Sequence, residues 1–300
     1  MKRRIFLTGG SGFIGTHLKR FLESRDCFVS APNTQFSETE AFTKDFQNGA
    51  PWDAAIHLAG LSSIAEAAKH PYQALSVNLA GTVFLATLAR LHSPNCQFVF
   101  ASTAQIYAPP QTATGSTVLT ENSPICPSSL YAESKLLAEI CLRSEHDLSG
   151  LQVTVLRLFN HSHKSQSSVA FLPSIFEQLQ KVKSGGHVEL ATGNIDIKRD
   201  MGSIADLLSA FEAVLLHRSK LAPFEILNVC SGHARTLRAL VIQLASRLDV
   251  HPDFRIDERR VRQGEPESIC GSNTKLQKLT GWTPKAVSDQ DFISSFLEEI

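Results

Sequence analysis

An apolar run, Ile5-Phe6-Leu7-Thr8, passes directly into Gly9-Gly10-Ser11-Gly12-Phe13-Ile14-Gly15. The glycines fit G-x-G-x-x-G (Gly10, Gly12, Gly15) and equally G-x-x-G-x-x-G (Gly9, Gly12, Gly15). Both frames serve the same physics. Glycine permits a tight turn and lets backbone approach a pyrophosphate, while the helix that follows offers free N–H groups and the positive end of its dipole. A glycine motif alone is a weak signal. Set between a strand and a helix, it predicts a dinucleotide site contacted by Gly9, Gly12, Phe13, Ile14 and Gly15.

The chain continues in the same rhythm. Apolar runs at 5–8, 27–31, 54–59, 97–102 and 152–159 predict buried strands, and amphipathic runs at 14–25, 72–92 and 131–148 predict helices. Strand alternating with helix implies α/β architecture with a doubly wound, Rossmann-type parallel sheet. The polar segment 32–52 is expected to be a loop with one short helix. Beyond Phe159 the pattern changes. A loop is expected at 160–168, helices at 170–183, 204–217, 236–248 and 289–299, and strands near 187–191 and 225–230. The expectation is a dinucleotide-binding domain over 1–158 and a smaller α/β substrate lobe over 159–300, some of whose segments return to the first domain. The ligand cleft should lie between them.

Composition excludes several classes. Lys plus Arg and Asp plus Glu both total 29, so no broad field attracts nucleic acid or an anionic membrane. The six cysteines (27, 96, 126, 141, 230, 270) form no C-x-x-C pair, so neither a metal site nor a disulfide framework is expected, and a reducing cytoplasmic compartment is inferred. The N-terminal apolar run stops at Gly9, too short for a signal-peptide core. No run of about 18 apolar residues is present, so no membrane span is expected.

Two further signals concern chemistry. An acidic residue usually follows the second strand of such a unit and binds the ribose 2′-hydroxyl. Here Ala31-Pro32-Asn33-Thr34-Gln35 carries neither an acid nor an arginine. Asn33 can hydrogen-bond either cofactor, and the absent acid tips the expectation slightly toward NADP(H) over NAD(H). The second signal is Tyr131-Ala-Glu-Ser-Lys135, which puts a phenol and an ammonium on one helical face. The strand at 97–102 ends in Ser102-Thr103, and ligands in open α/β sheets bind beyond the carboxyl ends of strands.

With the glycine loop upstream, this constellation resembles the extended short-chain dehydrogenase/reductase family. The resemblance implies that Tyr131 exchanges a proton with the substrate oxygen. Lys135 lowers the phenol's pKa and holds the nicotinamide ribose, and Thr103, with Ser102 as runner-up, orients the substrate. Bringing a free phenol near neutrality takes roughly 3 pKa units, about 4 kcal/mol. His57-Leu58-Ala59-Gly60 resembles the family's segment of small residues beside the cofactor, which implies contacts from Leu58, Ala59 and Gly60. Val77-Asn78-Leu79-Ala80-Gly81-Thr82 resembles its V-N-x-x-G-T helix, with Asn78 bracing the cofactor site.

RLFNH (157–161), IDIKRDM (195–201), LNVCSG (227–232), RQGE (262–265) and LTGWTP (279–284) narrow the resemblance to reductases and dehydratases of GDP-linked 6-deoxyhexoses, the GDP-4-keto-6-deoxy-mannose reductases above all. This implies that Asn160 lies against the substrate diphosphate and that Arg199, Arg262 and Glu265 face the nucleotide, where arginine's bidentate donors suit phosphate. Gln105 stands near the substrate where GDP-mannose dehydratases carry a glutamate, so reduction and not dehydration is expected. The implied activity is NAD(P)H-dependent reduction of a C4 ketone, by a homodimer joined through helices 72–92 and 131–148. The chain departs from the family at RLFNHSHKSQ (157–166), which lacks two glycines and two prolines, at Met201 and at Ala108. These departures leave the sugar open. A 4-epimerase or 4,6-dehydratase on the same scaffold is the alternative. A non-catalytic NAD(P)-binding redox sensor is a third reading, and the intact Thr103, Tyr131 and Lys135 argue against it.

Overall fold

The computed structural model describes residues 2–109, 118–182, 184–261 and 265–299. Strands β1 (Arg4–Thr8), β2 (Phe28–Ser30), β3 (Ala54–His57) and β4 (Gln97–Thr103) alternate with helices α1 (Phe13–Ser24), α2 (Thr39–Gln47), α3 (Ile64–Lys69), α4 (Pro71–Leu75) and α5 (Gly81–His92). There follow β5 (Val118–Leu119), α6 (Leu130–Ser149), β6 (Gln152–Leu158), β7 (Asn160–Ser162), α7 (Phe171–Gln180), β8 (His187–Thr192) and β9 (Lys198–Ser203). The chain ends with α8 (Ile204–Leu216), β10 (Phe224–Val229), β11 (Ala234–Thr236), α9 (Leu237–Arg247), β12 (His251–Ile256), β13 (Ser268–Gly271), α10 (Thr274–Thr280) and α11 (Asp289–Leu297).

Six strands form one sheet in the order β10-β6-β4-β3-β1-β2, and every pairing in it is parallel. A parallel sheet needs cover on both faces, hence its near-continuous apolar strands. Side chains alternate across it. Ile5, Leu7, Ile56 and Val99 pack beneath α1 and α8 through Leu18, Leu22, Leu207 and Phe211. Phe6, Phe98, Phe100 and Val155 face α2, α5 and α6 through Phe42, Phe46, Leu85, Ala89 and Leu142. The strand order reverses direction between β1 and β3, the topological switch point where such sheets bind ligands.

Later segments return to this sheet. β10 pairs with β6, and α8, Leu276 and Trp282 join its first core. A separate core gathers Leu172, Ile175, Leu190, Leu240, Leu244, Phe292 and Phe296 from α7, β8, α9 and α11. Beside it run the order β11-β9-β13-β5, with β7 paired to β9, and the two-stranded β12-β8 sheet.

The structure corrects several expectations. Residues 160–162, read as loop, form β7, and the polar segment 198–203 forms β9. Neither has an apolar alternation to announce it, because each is a strand by virtue of the partners it pairs with. The helix expected at 72–92 is two helices joined by a π turn at Ser76–Ala80. That composite run, Pro71–His92, does have the length and mean hydropathy (1.5) that a membrane span requires, contrary to the expectation. Here its Leu85, Ala86, Leu88 and Ala89 are buried against the sheet.

β9 shows how a charged sequence is buried. The fully buried Asp200 carboxylate accepts from the backbone N–H groups of Ser231 (2.8 Å), Gly232 (3.0 Å) and Gly271 (3.1 Å) and from the Ser231 hydroxyl (2.7 Å). It thereby clamps β9 to the exits of β10 and β13. Asp200→Ala leaves these donors buried without an acceptor and should cost about 3 kcal/mol or more, at roughly 1 kcal/mol or above per donor. Asp200→Asn should restore only part of it, since its amide oxygen can accept from one pair of donors while its NH₂ confronts the other. Urea denaturation measures both, and a wild-type midpoint for the alanine variant would refute the clamp.

Candidate active site

The glycine loop sits at the switch point. Gly9 has φ +72°, and a β-carbon there would lie 2.7 Å from the Ala59 nitrogen. A β-carbon on Gly15 would lie 1.9 Å from the Gly9 carbonyl oxygen. The loop therefore rests directly on the backbone of 58–59, and α1 begins directly on the loop. Gly12 caps α1 with no side-chain hydrogen bond, and no acid stands in the first turn. An uncapped helix N-terminus behind a loop with no room for side chains fits a dinucleotide diphosphate. Phe13 and Ile14 are partly buried and pack against the core beneath α1. A β-carbon on Gly10 would meet that of Ala31 at 2.7 Å, which sets the exposed Asn33 just past this edge.

Leu58, Ala59 and Gly60 follow β3, beside the loop. Asn78 lies in the π turn, a distortion frequent at functional sites. It is fully buried and its side chain is fully used. Its Oδ1 accepts from the Leu61 N–H (2.7 Å), and its Nδ2 donates to the Leu61 carbonyl (3.1 Å) and the Ser134 hydroxyl (2.9 Å). A β-carbon on Gly60 would lie 2.9 Å from Asn78 Oδ1 and 3.4 Å from Lys135 Nζ. Gly60, Asn78 and Lys135 thus meet at one point.

The Ser129 hydroxyl caps α6 by accepting from the Ala132 N–H, and Tyr131 and Lys135 project from the first turns toward the end of β4. Lys135 Nζ donates to the Ala101 carbonyl (2.8 Å) and lies 4.7 Å from the centre of the Phe100 ring. Burial pushes its ammonium down to about 8, with Glu139 opposing. Thr103 Oγ1 accepts from the Gln105 N–H (3.2 Å), which leaves its own proton to donate, and the nearby hydroxyl acts on the Tyr131 phenol in favour of the phenolate. The net effect on Tyr131 is nevertheless upward. The expected lowering by Lys135 is not found. Desolvation of a buried phenolate is the largest influence, and Lys135 is not among the causes.

Sequence reasoning missed the buried network behind these groups. Arg157 and Glu139 pair at 2.7 Å with side chains 3% and 5% exposed. Ser102 donates to Glu139, so this hydroxyl, the runner-up, is already committed. Arg157 also reaches the Tyr107 hydroxyl (3.1 Å), which donates to Asn228 Oδ1 (2.7 Å). The available signal was spacing, since Glu139 stands four residues beyond Lys135 on the same face.

The expected nucleotide contacts are less uniform. Asn160 is exposed and donates to the Asp200 carbonyl (3.3 Å). Arg199 Nη1 donates to the carbonyls of Lys198 (2.8 Å) and Pro266 (2.9 Å). Its Nη2 lies 2.8 Å from Glu265 as an ion pair without hydrogen-bond alignment. Gln105 is exposed, and Arg262 lies outside the described residues. The segments preceding Arg199 and Glu265 line an open pocket of about 780 Å³, with Asn194, Ile195, Phe254, Ile256 and Glu258 in its wall.

Residues 37–293 match the family model described as GDP-mannose 4,6 dehydratase. The GDP-6-deoxy-D-mannose reductase of Pseudomonas aeruginosa is 31% identical over 97% of this chain and 95% of its own length. The GDP-6-deoxy-D-talose 4-dehydrogenase of Aggregatibacter actinomycetemcomitans is 27% identical over 93% of this chain and 91% of its own. The solved structure of RMD from Pseudomonas aeruginosa complexed with NADPH superposes with a TM-score of 0.83 at 29% identity, covering 99% of this chain and 98% of that one. By its sequence and its fold, this chain belongs to the GDP-mannose 4,6-dehydratase family of extended short-chain dehydrogenase/reductases, NAD(P)-dependent enzymes of nucleotide-sugar chemistry.

Proposed function

We propose that the protein reduces the C4 keto group of a nucleotide-linked 4-keto-6-deoxyhexose, GDP-4-keto-6-deoxy-D-mannose, using NADPH in slight preference to NADH. The observation that carries this reading is the convergence of Thr103, Tyr131 and Lys135 at the end of β4, beside the glycine loop and Gly60. Bound NADPH supplies the hydride. The chain's own groups do the rest. Thr103 and Tyr131 donate hydrogen bonds to the ketone oxygen as it gains charge, where electrostatic stabilisation acts. Tyr131 then gives up its proton. Its upward-shifted pKa suits that direction, because a donor must hold its proton at neutral pH. Lys135 spends one N–H on Ala101 and keeps the others for the ribose hydroxyls. The Thr103 hydroxyl favours the phenolate left behind.

Asn160, Arg199 and Arg262 hold the nucleotide diphosphate in this reading, and Glu265 faces the nucleotide. Arg199 would share its donors with Glu265. Binding so far from the reacting carbon orients the ketone without entering the chemistry. The pocket between these segments is of a size to take the base. Asn33, with no acid beside it, tolerates a 2′-phosphate, and the NADPH bound by the Pseudomonas relative supports the same preference. A dehydratase, which the family's name suggests, needs a base for the C5 proton, and Gln105 has no basic carboxylate. A 4-epimerase would return its hydride and consume no cofactor. We also propose a homodimer joined through α5 and α6, which expose Val83, Leu91, Leu137 and Ile140 and are tied together by Arg90 and Glu145 at 2.7 Å.

Tyr131→Phe should lower turnover by roughly 10²-fold or more while leaving NADPH affinity nearly unchanged. In the wild type the alkaline limb of the rate profile should follow Lys135, near the value of about 8 that burial imposes. A phenylalanine variant retaining a tenth of the wild-type rate would remove Tyr131 as donor.

Assayed with a panel of ketosugars, the enzyme should consume NADPH with the GDP-linked ketosugar and far less with dTDP-linked ones. It should form no 4-keto product from GDP-mannose. Equal rates with both nucleotides would overturn the GDP assignment, and dehydration of GDP-mannose would overturn the reductase reading.

Sedimentation equilibrium at micromolar concentration should return twice the 32.9 kDa chain mass, and a monomer throughout would remove the α5–α6 interface.

A further inference from the structure

Thr8 closes β1 and His57 closes β3, and the two are paired across the switch point. His57 is completely buried, with Nδ1 2.7 Å from Thr8 Oγ1 and Nε2 2.9 Å from Thr82 Oγ1. Each hydroxyl has a second partner. Thr8 Oγ1 accepts from the Ala59 N–H (3.3 Å), and Thr82 Oγ1 donates to the Asn78 carbonyl (2.6 Å). These backbone ends dictate every proton between them. The Thr82 proton is spent on a carbonyl, so its oxygen must accept from His57 Nε2–H. Nδ1 is then bare and accepts the Thr8 proton, which frees the Thr8 oxygen for Ala59. One neutral tautomer satisfies the whole chain; the other sets Nε2 against the Thr82 oxygen with no proton between them, and the imidazolium leaves the buried Thr8 proton without an acceptor.

We propose that His57 is a positioning residue for the dinucleotide. As a neutral imidazole it spaces the glycine loop, the 58–60 segment and the Asn78 turn through a single directional chain of hydrogen bonds. These pieces are remote in sequence, and each carries proposed cofactor contacts. Thr8 leads into Gly9, which has no room for a side chain against Ala59. Thr82 fixes the carbonyl of Asn78, whose side chain borders Gly60 and secures Leu61. The imidazole is held flat against Phe100 (ring centres 5.7 Å apart, 28° between planes), the same ring that Lys135 approaches. Burial and the Lys135 charge push its pKa well below the ordinary value, which keeps it in the neutral form that the chain needs.

The inference rests on the dinucleotide reading of the glycine loop, and NADPH binding to the wild type tests that reading first. Nicotinamide fluorescence titration gives the Kd. His57→Phe retains the ring and removes both hydrogen bonds, so it should raise the Kd for NADPH about tenfold or more. It should also raise the KM for NADPH more than the KM for the ketosugar. His57→Gln keeps one donor and one acceptor and should recover part of the loss. Phe211→Leu, a core truncation beneath the opposite sheet face, is the control and should lower Tm without a comparable rise in Kd. Should His57→Phe fail to fold, Thr82→Val breaks the same chain at its far end with little change of shape and should raise the Kd in the same way. The inference is overturned if the variants bind NADPH within about twofold of wild type, or if Phe211→Leu weakens binding equally at the same loss of Tm. A wild type that binds neither NADPH nor NADH overturns the dinucleotide reading itself, and this inference with it.

Discussion

The exits of β1 and β3 approach so closely that a β-carbon on Gly9 would lie 2.7 Å from the backbone nitrogen of Ala59. Most of the site follows from this contact. It forces glycine and a positive φ at position 9, turns the chain sharply into α1, and presents the uncapped start of that helix at the topological switch point. It also brings Thr8 beside His57, so a buried polar chain runs from the loop to Asn78. Close approach of two backbones leaves little tolerance, and hydrogen bonds of defined polarity are a way to hold it.

The groups proposed to react show a second balance. Burial acts on Tyr131 and Lys135 in opposite senses, raising the phenol and lowering the ammonium, because in each case it penalises the charged form. Lys135 keeps its charge at neutral pH with modest help: the Ala101 carbonyl, the face of Phe100 and the more distant Glu139. Glu139 is itself neutralised by Arg157, so the carboxylate stabilises the lysine without drawing it away from the site. Such buried ion pairs add little net stability, and what this one provides is a fixed frame behind α6.

Charge is handled differently around β9. β9 buries Arg199 and Asp200; donors at the exits of β10 and β13 satisfy Asp200, while Arg199 Nη1 donates to the Lys198 and Pro266 carbonyls and Nη2 faces Glu265 as an ion pair. A strand held in this way is placed by its polar residues. The residues proposed to hold the nucleotide belong to the same structure that holds the lobe together, and their donors are already partly used.

The sequence by itself determined the βα repeat, the location of the glycine loop and the placing of Tyr131 and Lys135 four residues apart on one helix. Each of these is a matter of local period or spacing: apolar residues at intervals of two or between three and four, and i, i+4 on one helix. The main helices of the second half were legible for the same reason. Only the tertiary structure decided that 160–162 and 198–203 are strands, that 71–92 is broken by a π turn, that Ser102 is bound to Glu139, and that Tyr131 is shifted upward. His57 belonged to a recognisable segment, HLAG, yet its role could not be read there, because its partners lie 49 and 25 residues away. Period and spacing are properties of neighbours along the chain. The polarity of a buried hydrogen bond and the desolvation of a charge are set by whatever folding brings against the group, and that information exists only once the chain has closed on itself.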